Sequence, residues 1–483
     1  MHRFTLILTM VGLSFLSPKA LAIDITSGLT DYQVVQCDAD GSATLSLSGT
    51  AAETGALEAR VSAVQKVVVD WMPVGEAGAV WSASVPTVPA GGPYRVEVRV
   101  TANGAVLASD EVLNVLVGDV WVLAGQSNMQ GVGNRVNEET LDPRVNTYSM
   151  SYEWRVAQEP LHTLPESPDA IHFDAAQGEV VRQQQIVAWR DGHKGAGLGM
   201  AFAKEMVRRT GRPVGLIASA HGGTSMQGWD PALKDQGGAS LYGSMVKQVA
   251  AAGGKVRGVL WYQGESDANA EASAIFADKF KALIDAMRRD FNNPDLPFYY
   301  VQLGRVILPW DEASWNRIQA IQLSTVAEVP NTAVVPAVDL GLDDGIHIGT
   351  AGLKTLGHRL ANIAEANLFG GKVQAGPRVA DMQRVGTGYG QHLRVTFSGV
   401  NGKLVVAGRP SGFSVSEGPA GPVKPCVFNV EIAPDDPNAL LIWVNEFPAG
   451  AQLWYGRGID PYCNITDEAG MALPVFGPMA IPE

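Results

Sequence analysis

Residues 119–131 read DVWVLAGQSNMQG. After Asp119 the first half is a continuous apolar run, as a strand covered on both faces requires. It stops at Gly125, and a glycine-flanked turn, Gly125-Gln126-Ser127-Asn128-Met129-Gln130-Gly131, follows. Four later runs have the same texture: VGLIAS (214–219), GVLWYQG (258–264), FYYVQL (298–303) and AVVPAVD (333–339). Between and after them lie helix-period segments at 196–209, 241–252, 271–289, 314–328 and 351–367; in the fourth, Trp315, Ile318, Ile321 and Leu323 form the apolar face. Five strand–helix units predict an open, parallel, five-stranded α/β sheet with helices on both faces. In such sheets ligands bind beyond the carboxyl ends of the strands.

The flanks differ. Residues 23–117 hold short alternating or β-branched stretches such as ATLSLSG (43–49), LEARVSA (57–63) and YRVEVRV (94–100), separated by Pro and Gly. Residues 372–483 return to that texture with HLRVTFS (392–398), ALLIWV (439–444) and QLWYGRG (452–458). The expected order is an N-terminal β domain (23–117), a central α/β domain (118–371) and a C-terminal β domain (372–483), the outer two sandwich-like. The first 22 residues read as a secretory signal: Arg3, an apolar run from Phe4 to Leu16, and a small-x-small site at Ala20-Leu21-Ala22. That run is too short to span a bilayer, which needs about 20 residues. An exported, periplasmic or secreted protein is expected, with no membrane partner.

Composition narrows the function. The 483 residues carry a net charge of −13, with no basic stripe, so nucleic acid is a poor partner. Only three cysteines are present, too few for a disulfide scaffold, although Cys426 and Cys463 fall in one β domain of an exported chain and could pair. There is no H-E-x-x-H, no C-x-x-C and no G-x-G-x-x-G opening a helix after the first strand, so neither metal nor organic cofactor is expected.

Chemistry should sit at the strand ends. A loop serine is ordinarily a turn or cap residue, but Ser127 follows a buried strand, where a tight turn can expose its hydroxyl. The last strand runs into Asp339-Leu-Gly-Leu-Asp343-Asp344-Gly345-Ile346-His347. One loop can therefore bring the Asp344 carboxylate to the His347 imidazole, leaving the other ring nitrogen to take the serine proton. Ala220-His221-Gly222-Gly223-Thr224 offers backbone amides to an oxyanion, or is simply a tight turn. His221 is a rival base without a carboxylate near it in sequence. In Trp261-Tyr262-Gln263-Gly264-Glu265-Ser266-Asp267, Gln263 could donate a side-chain N–H to the oxyanion, and Glu265 is a buried carboxylate or a substrate contact.

GQSNM, HGGT, WYQGESDA and DGIH in this order resemble the SGNH hydrolases, and more narrowly the sialate O-acetylesterase and acetylxylan-esterase-like carbohydrate esterases. Ala90-Gly-Gly-Pro-Tyr94, Gly118-Asp-Val-Trp121 and the closing Tyr455–Asn464 segment are similar to the same family. The resemblance implies a flavodoxin-like SGNH domain with Ser127 as nucleophile, His347 as base and Asp344 as its orienter. The Ser127 and Gly223 amides would form the oxyanion hole with Gln263. Gly222 is an alternative donor, and Asp339 competes with Asp344 for His347. Gln126, Asn128, His221 and Glu265 are candidate substrate contacts. The implied activity is removal of acetyl groups from O-acetylated oligo- or polysaccharides. A binding protein without catalysis, or a lipase on non-sugar esters, are the other readings. Segment 132–194, with Trp154, His162, His172, Trp189 and His193, is expected to be a wall of the sugar cleft or an ordinary insertion.

Overall fold

The computed structural model describes residues 23–483; the expected signal segment, 1–22, lies outside the described residues. The five apolar runs form five neighbouring parallel strands of one sheet, in the order Val214–Ala218, Ala105–Gly125, Gly258–Tyr262, Phe298–Gln302 and Thr332–Pro336. Every residue of the four short strands is buried, which is why their sequences do not alternate.

The sheet is wider than the expected five strands. Segment 132–194 adds Val145–Tyr148, parallel to Val214–Ala218, and Trp154–Val156, antiparallel at the edge. Asn146 and Thr147 are buried in that added strand because their side chains donate to the Tyr32 and Leu216 carbonyls. The same segment also holds the helix Glu179–Arg190.

Helices fill the gaps between strands as expected. Gly199–Thr210 packs on Thr350–Phe369, and Ala270–Asp290 on Glu312–Glu328. The first crossing is close because of Gly357. A Cβ there would lie 2.7 Å from the Leu198 oxygen and the Phe202 nitrogen.

No linker separates the N-terminal strands from the central sheet. The 21-residue strand Ala105–Gly125 runs through position 117 without a break. Its first part pairs antiparallel with Gly91–Ala102, its second with the central strands. A three-stranded N-terminal sheet and the N-terminal extension of the 11-stranded central sheet share one apolar core, with Leu45, Leu47 and Val85 from the first and Leu57, Val61, Val96 and Val98 from the second. Beyond residue 372 two further four-stranded sheets share another, including Leu393, Val395, Leu440, Val415, Leu453 and Tyr455. Cys37, Cys426 and Cys463 are buried free thiols, so the pairing left open for Cys426 and Cys463 is not formed.

Candidate active site

Strand Ala105–Gly125 ends where only glycine fits. Gly125 has φ of 134°, and a Cβ on it would lie 2.2 Å from the Tyr262 oxygen. The chain turns at once into the short helix Ser127–Gln130. Asn128, Met129 and Gln130 are buried, whereas Ser127 is partly exposed.

The loop after the last strand brings two more groups to Ser127. His347 Nε2 lies 3.0 Å from Ser127 Oγ. His347 Nδ1 lies 2.9 Å from both Asp344 carboxylate oxygens. Asp344 Oδ1 also accepts the backbone N–H groups of Ile346 (3.1 Å) and His347 (3.0 Å), which folds the D-x-x-H stretch into a tight turn. Partial burial would raise the Asp344 pKa, but the hydrogen bonds from the His347 ring and the two amides outweigh it and hold the carboxyl well below its usual range. Asp344 is therefore a carboxylate at neutral pH, and it sets His347 with Nδ1 protonated and Nε2 free to accept.

Asp339 is engaged elsewhere. Its carboxylate makes a two-pronged ion pair with the buried Arg359, at 2.8 and 2.6 Å. Arg359 also donates to the Pro336 and Gly470 carbonyls. This ties the strand end to the helix Thr350–Phe369 and leaves the imidazole to Asp344.

Several expected contacts turn inward. Asn128 is 1% exposed. Its Nδ2 donates to Glu265 Oε1 (2.7 Å), and its Oδ1 accepts from the Ile348 amide (3.0 Å). It thus fastens the Ser127 turn to the His347 loop and cannot meet substrate. Gln126 is buried and accepts from the Ser266 amide. Gln263 is fully buried, and its Nε2 already donates to the Thr224 carbonyl (3.1 Å) and Asp267 Oδ2 (2.5 Å). Both amide hydrogens are committed, so Gln263 is a strut between loops and not an oxyanion donor.

Glu265 is 2% exposed and lies against Asn128, so it too is not a substrate contact. Burial pushes its pKa up to about 7 against the pull of Asn128, and Oε2 has no hydrogen-bond partner.

The glycine pair resolves by its bonds. The Gly222 amide donates to Gln130 Oε1 (2.8 Å), and a Cβ on Gly222 would sit 3.3 Å from Ser127 Cβ. Gly222 therefore packs against the serine with its N–H already used. Gly223, at φ 73°, follows it. The Ser127 N–H lies in the first turn of its helix, where no intrahelical acceptor exists.

Some site residues gave no sequence signal. Lys194 Nζ reaches Asp344 Oδ2 at 3.3 Å, and the Asn134 amide donates to Asp343 Oδ2. Both ends of segment 132–194 thus grip the His347 loop. A depression of about 320 Å³ beside Lys194 is lined by Trp189 and His193. A second, of about 500 Å³, is lined by Ser225, Ser266, Asp267 and Lys279. The closing segment Tyr455–Asn464 contributes as well. Ile459 accepts from the Val306 amide, Gly345 from the Ile307 amide, and the Glu265 carbonyl from Trp310 Nε1. The loop 304–310 so links the closing segment to both sides of the site.

The family model for "Carbohydrate esterase, sialic acid-specific acetylesterase" matches residues 117–366, the stretch that contains this whole arrangement. The chain belongs to that family. It is accordingly a carboxylic ester hydrolase. A "Probable carbohydrate esterase" of Arabidopsis thaliana is 29% identical over 271 residues, covering 51% of this chain and 90% of its own. Human sialate O-acetylesterase is 24% identical over 301 residues, so this chain spans only 54% of that relative's length. Among solved structures, a carbohydrate acetylesterase from Xanthomonas citri superposes with a TM-score of 0.66 at 22% identity, covering 94% of this chain and 99% of that one. That likeness extends the common fold beyond the family match to the outer sheets.

Proposed function

We propose that this family member removes acetyl groups from O-acetylated sugars by a Ser-His-Asp double displacement. Ser127 Oγ attacks the acetyl carbonyl carbon while its proton passes to His347 Nε2. The imidazolium is balanced by the Asp344 carboxylate. The carbonyl π electrons move to oxygen, and the Ser127 and Gly223 amides receive the oxyanion. As the carbonyl re-forms, the bond to the sugar oxygen breaks and His347 returns the proton to that oxygen. Water, deprotonated by His347, then attacks the acetyl-Ser127 ester, and acetate leaves with the Ser127 proton restored from His347.

One observation carries this reading: the unbroken hydrogen-bond chain from Ser127 Oγ through His347 to Asp344 at the open ends of the strands. The test is acetate release from acetylated xylan, pectin, xyloglucan and sialic acid, beside a p-nitrophenyl ester chain-length series. Acetate preference with release from a sugar supports the reading. Preference for octanoate contradicts it.

The same proposal takes the parallel strands and their helices as a flavodoxin-like SGNH domain and the outer sheets as β-sandwich-like flanks. It takes residues 1–22 as an export signal, so the mature chain would begin at Ile23, which N-terminal sequencing of exported protein checks.

A further inference from the structure

His221 and segment 132–194 meet in a buried relay that the reaction above does not use. Asp169, 2% exposed, accepts Lys247 Nζ on Oδ1 (2.5 Å) and both Ser244 Oγ (2.7 Å) and Tyr152 Oη (2.5 Å) on Oδ2. With a lysine and two hydroxyls donating to it, the carboxyl is ionised. The single Ser244 hydroxyl hydrogen is spent on Asp169, so Ser244 Oγ must accept from His172 Nε2, 3.1 Å away. His172 is 7% exposed, and burial, then the neighbouring His221, push its pKa down to about 3. It is neutral, its one ring hydrogen is on Nε2, and its Nδ1 is a bare lone pair.

That lone pair lies 3.1 Å from His221 Nδ1, and the two ring planes are inclined by only 28° with centroids 5.1 Å apart. His221 must therefore donate through Nδ1–H. Burial also lowers its pKa, so the ring stays neutral and Nε2 is left as an acceptor. His221 is partly exposed, and among the described residues its ring bonds only to His172, through Nδ1, which leaves Nε2 without a partner. The backbone places residue 221 beside the site. The His221 amide donates to the Gly125 carbonyl (3.0 Å), two residues before Ser127, and the next residue is the Gly222 that packs on Ser127.

We propose that His221 Nε2 accepts a hydrogen bond from a free sugar hydroxyl beside the acetyl ester, with Asp169, Ser244 and His172 as positioning residues that hold His221 in the accepting tautomer. This rests on the acetylesterase reading and deepens it. An acceptor fixed in this way selects a substrate that carries a donor, so partly acetylated sugars are preferred to fully acetylated ones. His221 does not serve as the base for Ser127, whose Oγ is taken by His347.

The experiment compares kcat/KM on a singly acetylated sugar that the wild type cleaves, taken from the panel above, with kcat/KM on p-nitrophenyl acetate, for wild type, His221→Phe and His172→Phe. The ratio of sugar to aryl ester should fall about 10- to 100-fold in His221→Phe. It should fall in the same direction in His172→Phe, through KM for the sugar more than through kcat. An unchanged ratio in His221→Phe overturns the inference alone. Wild type that cleaves the aryl ester but releases acetate from no acetylated sugar of the panel above overturns the acetylesterase reading and this inference with it. Nitrogen NMR of ring-labelled histidine reads the relay without turnover. Wild-type His221 should show a protonated Nδ1 and bare Nε2, with the hydrogen moving to Nε2 in His172→Phe; a protonated Nε2 in wild type contradicts the relay.

Discussion

His347 Nε2 lies 3.0 Å from Ser127 Oγ although 220 positions of chain separate the two residues. Two loops at neighbouring strand ends meet there, and Asn128 fastens them from behind.

Asp344 and Asp339 should fail in different ways. Asp344→Asn offers His347 a mixed donor and acceptor and loses the charge that balances the imidazolium. The expected loss in kcat is about 10³- to 10⁴-fold, the scale known for the serine-protease counterpart, with the fold intact. Asp339→Asn instead leaves the Arg359 charge buried with its ion pair broken, which costs about 3–5 kcal/mol of stability. Steady-state kinetics and thermal melts on both variants check this. A crippled kcat in Asp339→Asn with an unchanged melt would reverse the assignment.

Asn128→Ala should loosen the His347 loop without touching substrate. Because misplacement of a catalytic group by about 1 Å costs about 100-fold, kcat should drop between 10- and 100-fold with KM little changed. A rise in KM at constant kcat would instead make Asn128 a substrate contact.

Glu265 ties pH to stability. Its folded pKa, about 7, is raised above the unfolded value near 4.5. Its contribution is therefore fully present below about pH 4.5 and is lost as pH rises through 7. The swing is on the order of 3 kcal/mol. Glu265→Gln should flatten this part of the stability–pH curve in urea unfolding from pH 4 to 8. Buried Glu159, also raised to about 7 by burial, contributes in the same direction and should remain in the variant.

The apolar runs made the central strands legible, since a strand covered on both faces cannot alternate. Val145–Tyr148 escaped notice because half of its residues are polar and are buried only through hydrogen bonds to distant carbonyls. Position 117 looked like a boundary because the burial of one strand changes there from one face to two; the backbone does not change. Ser127, Asp344 and His347 could be paired from local spacing and strand-end position. The direction of Gln126, Asn128, Gln263 and Glu265 could not, because loops at strand ends must satisfy their own buried amides and carbonyls, and these side chains do that work. His172, Asp169 and Lys194 belong to a segment whose sequence carries no motif, and only the tertiary fold brings them to the site.

In the proposed mechanism the acetyl group passes through Ser127. Mass spectrometry of the Ser127 peptide, from protein quenched during turnover of p-nitrophenyl acetate, tests it most directly. One acetyl group is expected on Ser127 in wild type, and no adduct and no turnover above background in a folded Ser127→Ala variant. Turnover near the wild-type rate in Ser127→Ala, or the acetyl group on another residue, would contradict it.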